Sequence, residues 1–99
     1  MSRATRTVRV LLVDDDDTFR GVMSAELSRR GYVVESAASG QEALARVAAA
    51  EPEVVLLDMR LPDMDGLRVL KKLREAEVPP GVIMLTGHGT IDTAIQAIR

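Results

Sequence analysis

The chain has no cysteine and no tryptophan, and holds one tyrosine and one phenylalanine in 99 residues. Without cysteine there is no disulfide framework and no thiolate chemistry. With so few aromatics, the core has to be built from Leu, Val, Ile, Ala and Met. Neither sign of charge dominates: 13 Lys and Arg stand against 15 Asp and Glu, for a net charge of −2. That balance gives no reason to expect nucleic-acid binding by this chain. No apolar run approaches the length of a membrane span, and the basic start "MSRATRTVRV" lacks the apolar stretch of a signal peptide. A single cytoplasmic domain without membrane contact is expected over residues 1–99, burying roughly two thirds of the surface its unfolded chain exposes.

What is present is an alternation of two kinds of segment. Short Val/Leu/Ile runs at Val8–Val13, Tyr32–Val34, Val54–Leu57 and Val82–Leu85 read as buried strands. Between them Phe19, Val22, Met23 and Leu27 recur at helical spacing, with Gly31 as a stop. Ser39-Gly40-Gln41-Glu42 has the form of a capping box and opens a helix through Leu44 and Val47 that Pro52 ends. Leu67, Leu70 and Leu73 form the next stripe, opened by Asp65-Gly66 and closed before Pro79-Pro80. Thr90 reads as the N-cap of a last helix, predicted to carry Ile91, Ala94, Ile95 and Ile98 on one face. The order β-α-β-α-β-α-β-α predicts a doubly wound parallel sheet with right-handed crossovers.

The stretch "VRVLLVDDDDTFR" is the oddity, because a buried strand runs straight into four acids, Asp14 to Asp17. The third strand, "EVVLLDM", also ends in an acid, Asp58. Strands of a parallel sheet point the same way, so Asp14, Asp15 and Asp58 emerge at one carboxyl edge, where open α/β sheets place their ligands. The fourth strand ends in "LTGHG", adding the Thr86 hydroxyl and glycines that let backbone N–H groups approach a ligand. Like charges at such spacing repel, and carboxylates beside a hydroxyl suit Mg²⁺ with a phosphoryl group. An aspartate can itself be the nucleophile, forming an acyl phosphate.

"VLLVDDDD", "VVLLDMRLPDMDG" and "VIMLTGHGT" together resemble the receiver domain of two-component response regulators. The loop and "LTGHGTIDTAIQAI" resemble most the receivers of NtrC-type σ54 activators. The resemblance implies a flavodoxin-like fold with strand order 2-1-3-4-5. It makes Asp58 the phosphoacceptor, taking a phosphoryl group from a sensor histidine kinase, a phosphotransfer protein or a small phosphodonor. It makes Asp15 a direct Mg²⁺ ligand, with Asp14 acting through a metal-bound water, Asp58 itself a ligand, and the Arg60 backbone carbonyl completing the set. Thr86 would hydrogen-bond the phosphoryl group and reorient on activation, Gly87 would help cradle it, and Pro62 and Gly66 would shape the loop. Asp16 and Asp17 match no metal position and read as solvated acids near the start of the first helix, where the dipole favours them. Asp63 and Asp65 read as turn and helix-start residues, and His88 as an exposed loop residue.

The family pattern runs on past Arg99 with a fifth strand and helix, a lysine that pairs with the phosphoryl group and a switch aromatic. A receiver truncated to about four βα units is therefore expected, with its fourth strand an exposed edge and the isoleucine stripe short of packing surface. Self-association through that strand, or through an exchanged last helix, follows as an expectation. The leading function is a bacterial-type signalling phosphoacceptor that switches conformation or association, with transcription regulation as its expected setting, and not an enzyme beyond its own phosphorylation and dephosphorylation. The alternative is a phosphorylation-independent association module. A dehalogenase-type phosphatase fits poorly, because the chain is too short to carry a substrate cap.

Overall fold

A computed structural model of the chain describes residues 7–85. Seven elements follow one another: β1 (Arg9–Val13), α1 (Asp17–Arg29), β2 (Val33–Ala37), α2 (Gly40–Ala50), β3 (Val54–Asp58), α3 (Gly66–Arg74) and β4 (Gly81–Leu85). The strands form one parallel sheet in the order β2-β1-β3-β4. This is the doubly wound arrangement, in the part of the 2-1-3-4-5 order that the described residues cover. The last predicted helix, with Thr90 and Ile91 to Ile98, lies outside the described residues.

Strand alternation decides which face each side chain serves. Leu11, Val13, Val55 and Leu57 point to one face and pack with Ala43 of α2 and with Val69 and Leu73 of α3. Val10, Leu12 and Leu56 point to the other and pack with Met23 and Leu27 of α1. The central strands β1 and β3 are thus covered on both sides, which is why their sequences read as continuous apolar runs. β4 has β3 as its strand neighbour among the described residues, and its side chains divide the same way, Val82 and Met84 against Ile83 and Leu85.

Helix ends follow local chemistry. Asp16 is the N-cap of α1, its carboxylate accepting the Phe19 N–H at 2.9 Å, so it is a capping group and not a merely solvated acid. Ser39 caps α2 by accepting the Glu42 N–H, while the Glu42 carboxylate reaches back to the Ala38 N–H, one residue beyond the usual capping-box partner. Glu51, just after α2, adopts a left-handed conformation (φ 48°) ahead of Pro52. Asp65 caps α3 through the Arg68 N–H.

Two predicted stripes are corrected. On α1, Met23 and Leu27 are buried while Val22 is 54% exposed; on α3 the buried positions are Gly66, Val69 and Leu73 while Leu67 is 58% exposed. The second strand also begins and ends later than predicted, at Val33 and Ala37. Its alternating exposure, with Val33 outward, marks a sheet edge whose polar residues hid it from an apolar-run search. The structure therefore separates residues that sequence spacing put together. Leu56→Ala should cost about 2–5 kcal/mol in urea unfolding, whereas Val22→Ala should stay within about 0.5 kcal/mol of wild type. Equal costs would contradict the described packing.

Candidate functional site

The site begins with strand register. Pairing Val13 with Leu57 sets the next residues along the two central strands, Asp14 and Asp58, side by side where β1 and β3 end. Asp14 is fully buried and Asp58 only 8% exposed, whereas Asp15 faces solvent. Carboxylate oxygens of Asp14, Asp15 and Asp58 all lie within 4.8 Å of one another. At that separation each ionised pair repels by roughly 3 kcal/mol for an effective dielectric near 20. The donors are oxygens only, and carboxylates only, which fits a hard divalent cation such as Mg²⁺ and not a soft metal.

Each strand-end acid also organises the loop that follows it. The Asp14 carboxylate accepts the Asp16 N–H at 2.8 Å, and the Asp58 carboxylate accepts the Arg60 N–H at 3.2 Å. Both are two-residue Asx turns, so one geometry recurs on adjacent strands. The loop after Asp58 closes on itself through an antiparallel bridge between Arg60 and Asp65 and a Gly66 N–H bond to the Met59 carbonyl at 2.8 Å. Gly66 sits where a Cβ would fall 2.6 Å from the Asp58 carbonyl oxygen and 2.8 Å from the Met59 Cα, so any side chain there displaces the backbone at the end of β3. Pro62 lies exposed in the same loop, as does Arg60, whose backbone faces the Asp58 turn. Thr86, Gly87 and His88 lie outside the described residues.

Two residues matter to the site's geometry that spacing did not single out. Arg20, only 19% exposed at its side chain, donates to the Asp14 carbonyl at 2.8 Å and pairs with Asp17 at 2.7 Å. It braces the β1–α1 turn with a cation one helical turn from the acids. Its signal was present as the Asp17/Arg20 spacing, which also suits an ordinary surface pair. Asp63 accepts the Gly40 and Gln41 N–H groups at 2.8 and 2.9 Å, a tie across more than twenty residues that no local pattern announces. Those bonds, from Gly40 first and then Gln41, hold the Asp63 carboxyl below its ordinary value of 3.8.

The sequence model of the response regulator receiver domain matches residues 10–99. The regulatory protein AtoC of Escherichia coli (strain K12) is 38% identical over 91 residues, 92% of this chain and 20% of that protein. The DNA-binding transcriptional regulator NtrC of Salmonella typhimurium is 38% identical over 90 residues, 91% of this chain and 19% of that protein. The chain thus spans about a fifth of these curated relatives. Among solved structures, the chemotaxis response regulator CheY4 of Vibrio cholerae superposes with a TM-score of 0.77 at 33% identity, covering 92% of this chain and 78% of that one.

Two tests arise from the geometry. Gly66→Ala should lower stability by about 1–3 kcal/mol in urea unfolding, because the clash is with backbone and not with a flexible side chain; a neutral result would contradict the close approach. Since Asp63 has the lower pKa in the folded state, it contributes stability that is full above the unfolded value and fades as pH falls through the folded one. The advantage of wild type over Asp63→Asn should therefore be widest above about pH 5 and shrink on acidification. A gap that grows toward low pH would contradict it.

Proposed function

The chain belongs to the response regulator receiver domain family of two-component signalling, and on that premise we propose that Asp58 is its phosphoacceptor. The observation that carries this is the convergence of Asp14, Asp15 and Asp58 at the carboxyl ends of two adjacent parallel strands. Asp58 is the member that stands at the end of β3 with its backbone fixed by Gly66 and its carboxylate oriented by the Arg60 N–H. A carboxylate oxygen of Asp58 attacks phosphorus, the bond from phosphorus to the donor's imidazole nitrogen breaks, and the imidazole leaves. The product is an acyl phosphate on Asp58.

Asp15 and Asp58 would hold Mg²⁺ directly, Asp14 through a bound water, and the Arg60 carbonyl would complete the protein ligands. The cation supplies positive charge that offsets the acids and the phosphoryl oxygens. Asp14, buried and tied to the Asp16 N–H, fixes the position of its neighbour Asp15. Thr86 and Gly87 would receive the phosphoryl group. The donor would be a sensor histidine kinase or a phosphotransfer protein, and the chain's own chemistry would be limited to accepting and releasing the phosphoryl group. Similarity to AtoC and NtrC supports a cytoplasmic regulatory role upstream of transcription. Self-association would be one output of the switch. A phosphorylation-independent association module is not favoured, because such a module has no use for three repelling acids.

Incubation with Mg²⁺ and a small-molecule phosphodonor, followed by native mass spectrometry, should add one phosphoryl group to wild type and none to Asp58→Asn. A folded wild type that stays unmodified, or a modified Asp58→Asn, would contradict the assignment.

A further inference from the structure

The Asp63 tie reaches further than local stability. An α-helix leaves its first N–H groups without partners in the helix. In α2 the Glu42 N–H is taken by Ser39, but the Gly40 and Gln41 N–H groups are taken by both oxygens of Asp63, from the loop between β3 and α3. The same loop presses Met64 onto Gly40. A Cβ on Gly40 would overlap the Met64 Cγ and lie 2.7 Å from its Sδ and 3.1 Å from Val69. The loop's base is closed by the Arg60–Asp65 bridge and the Gly66 N–H bond, so its tip is the part that needs an external anchor. Asp63 supplies that anchor, three residues beyond the Arg60 carbonyl.

We infer that Asp63 is a positioning residue for the metal site, tying the loop that carries the Arg60 carbonyl to the first turn of α2 and so coupling occupancy of the site to that turn. The inference rests on the reading of Asp14, Asp15, Asp58 and Arg60 as the Mg²⁺ ligands. Asp63 is not one of those ligands. It holds a backbone carbonyl in place, and the first turn of α2 reports whether it is held. The two charge-assisted bonds favour the tied state, which matches the lowered pKa of Asp63. Coupling between binding events is reciprocal: whatever factor the tie adds to Mg²⁺ affinity, Mg²⁺ must add to the tie.

The test titrates Mg²⁺ by calorimetry into wild type, Asp63→Ala, Asp63→Asn and Ser39→Ala, at high ionic strength so that loss of a remote charge is screened. Asp63→Ala should weaken Mg²⁺ binding by about tenfold, near the low end for an outer ligand-orienting partner. Asp63→Asn, which keeps one acceptor, should recover part of that loss. Ser39→Ala weakens the same helix end without touching the loop and should leave affinity unchanged. In wild type, saturating Mg²⁺ should slow amide exchange at Gly40 and Gln41 by the same factor. Unchanged affinity in Asp63→Ala overturns the inference, as does an equal loss in Ser39→Ala, which would make the effect one of general stability. Should Asp63→Ala fail to fold, amide exchange in wild type decides alone, and no response to Mg²⁺ overturns it. A wild type that binds no Mg²⁺ removes the metal-site reading and this inference with it, whereas normal binding with an indifferent Asp63→Ala removes only the inference.

Discussion

Everything at the carboxyl edge of this sheet depends on three carboxylates being held together. β1 and β3 are neighbours, parallel, and in a register that makes Asp14 and Asp58 adjacent, and Asp15 follows directly. The hydrophobic faces fix that register, since slipping one strand by a residue would turn Val13 and Leu57 from one core to the other. The repulsion is thus imposed by packing that the acids cannot escape. The surrounding groups are arranged to temper it. Backbone N–H groups donate to Asp14 and Asp58, and the Arg20 guanidinium stands beside the Asp14 carbonyl. Among the described residues these donors are two backbone N–H groups and a guanidinium held at a carbonyl, and a divalent cation among the carboxylates would offset the repulsion further.

The frame was legible in the sequence because its central strands are buried on both faces. Val10 to Val13 and Val54 to Leu57 read as strands since almost every position is apolar, and the parallel order follows from the helices between them. The pairing of the strand-end acids followed from topology alone. β2 was harder: as an edge strand it follows Val33 and Val34 with Glu35 and Ser36, so only its first residues look like a strand. The α1 and α3 stripes were misjudged at Val22 and Leu67 for a related reason. Spacing gives the period of a helix but not the width of the face that its neighbours cover.

Within the site, what spacing could reveal was the set of acids, and what it could not was how they are held. Gly66 belongs to a D-G helix start in the sequence, yet its tightest constraint is the Asp58 carbonyl 2.6 Å from where a Cβ would be. Asp63 looks like one more turn acid until the fold brings α2 to it. Asp16 was read as solvated because four contiguous acids look like a charge run, although their roles differ. Asp14 is buried, Asp15 faces the site, Asp16 caps a helix and Asp17 pairs with Arg20. Burial in the fold assigns Asp14, while Asp16 and Asp17 take their roles from contacts three residues on, which a run of four acids does not by itself tell apart.

The central claim is that packing forces the acids together and a divalent cation offsets the resulting repulsion. The direct measurement is the urea unfolding midpoint of wild type and Asp15→Asn, each with and without Mg²⁺. Asp15 is exposed and belongs to no core, so its replacement reports charge and not packing. The account predicts that without Mg²⁺ the variant is the more stable of the two. It also predicts that Mg²⁺ raises the midpoint of wild type as a ligand binding only the folded state should, and moves the variant much less. A variant less stable than wild type in the absence of Mg²⁺, or a wild type indifferent to the ion, would contradict it.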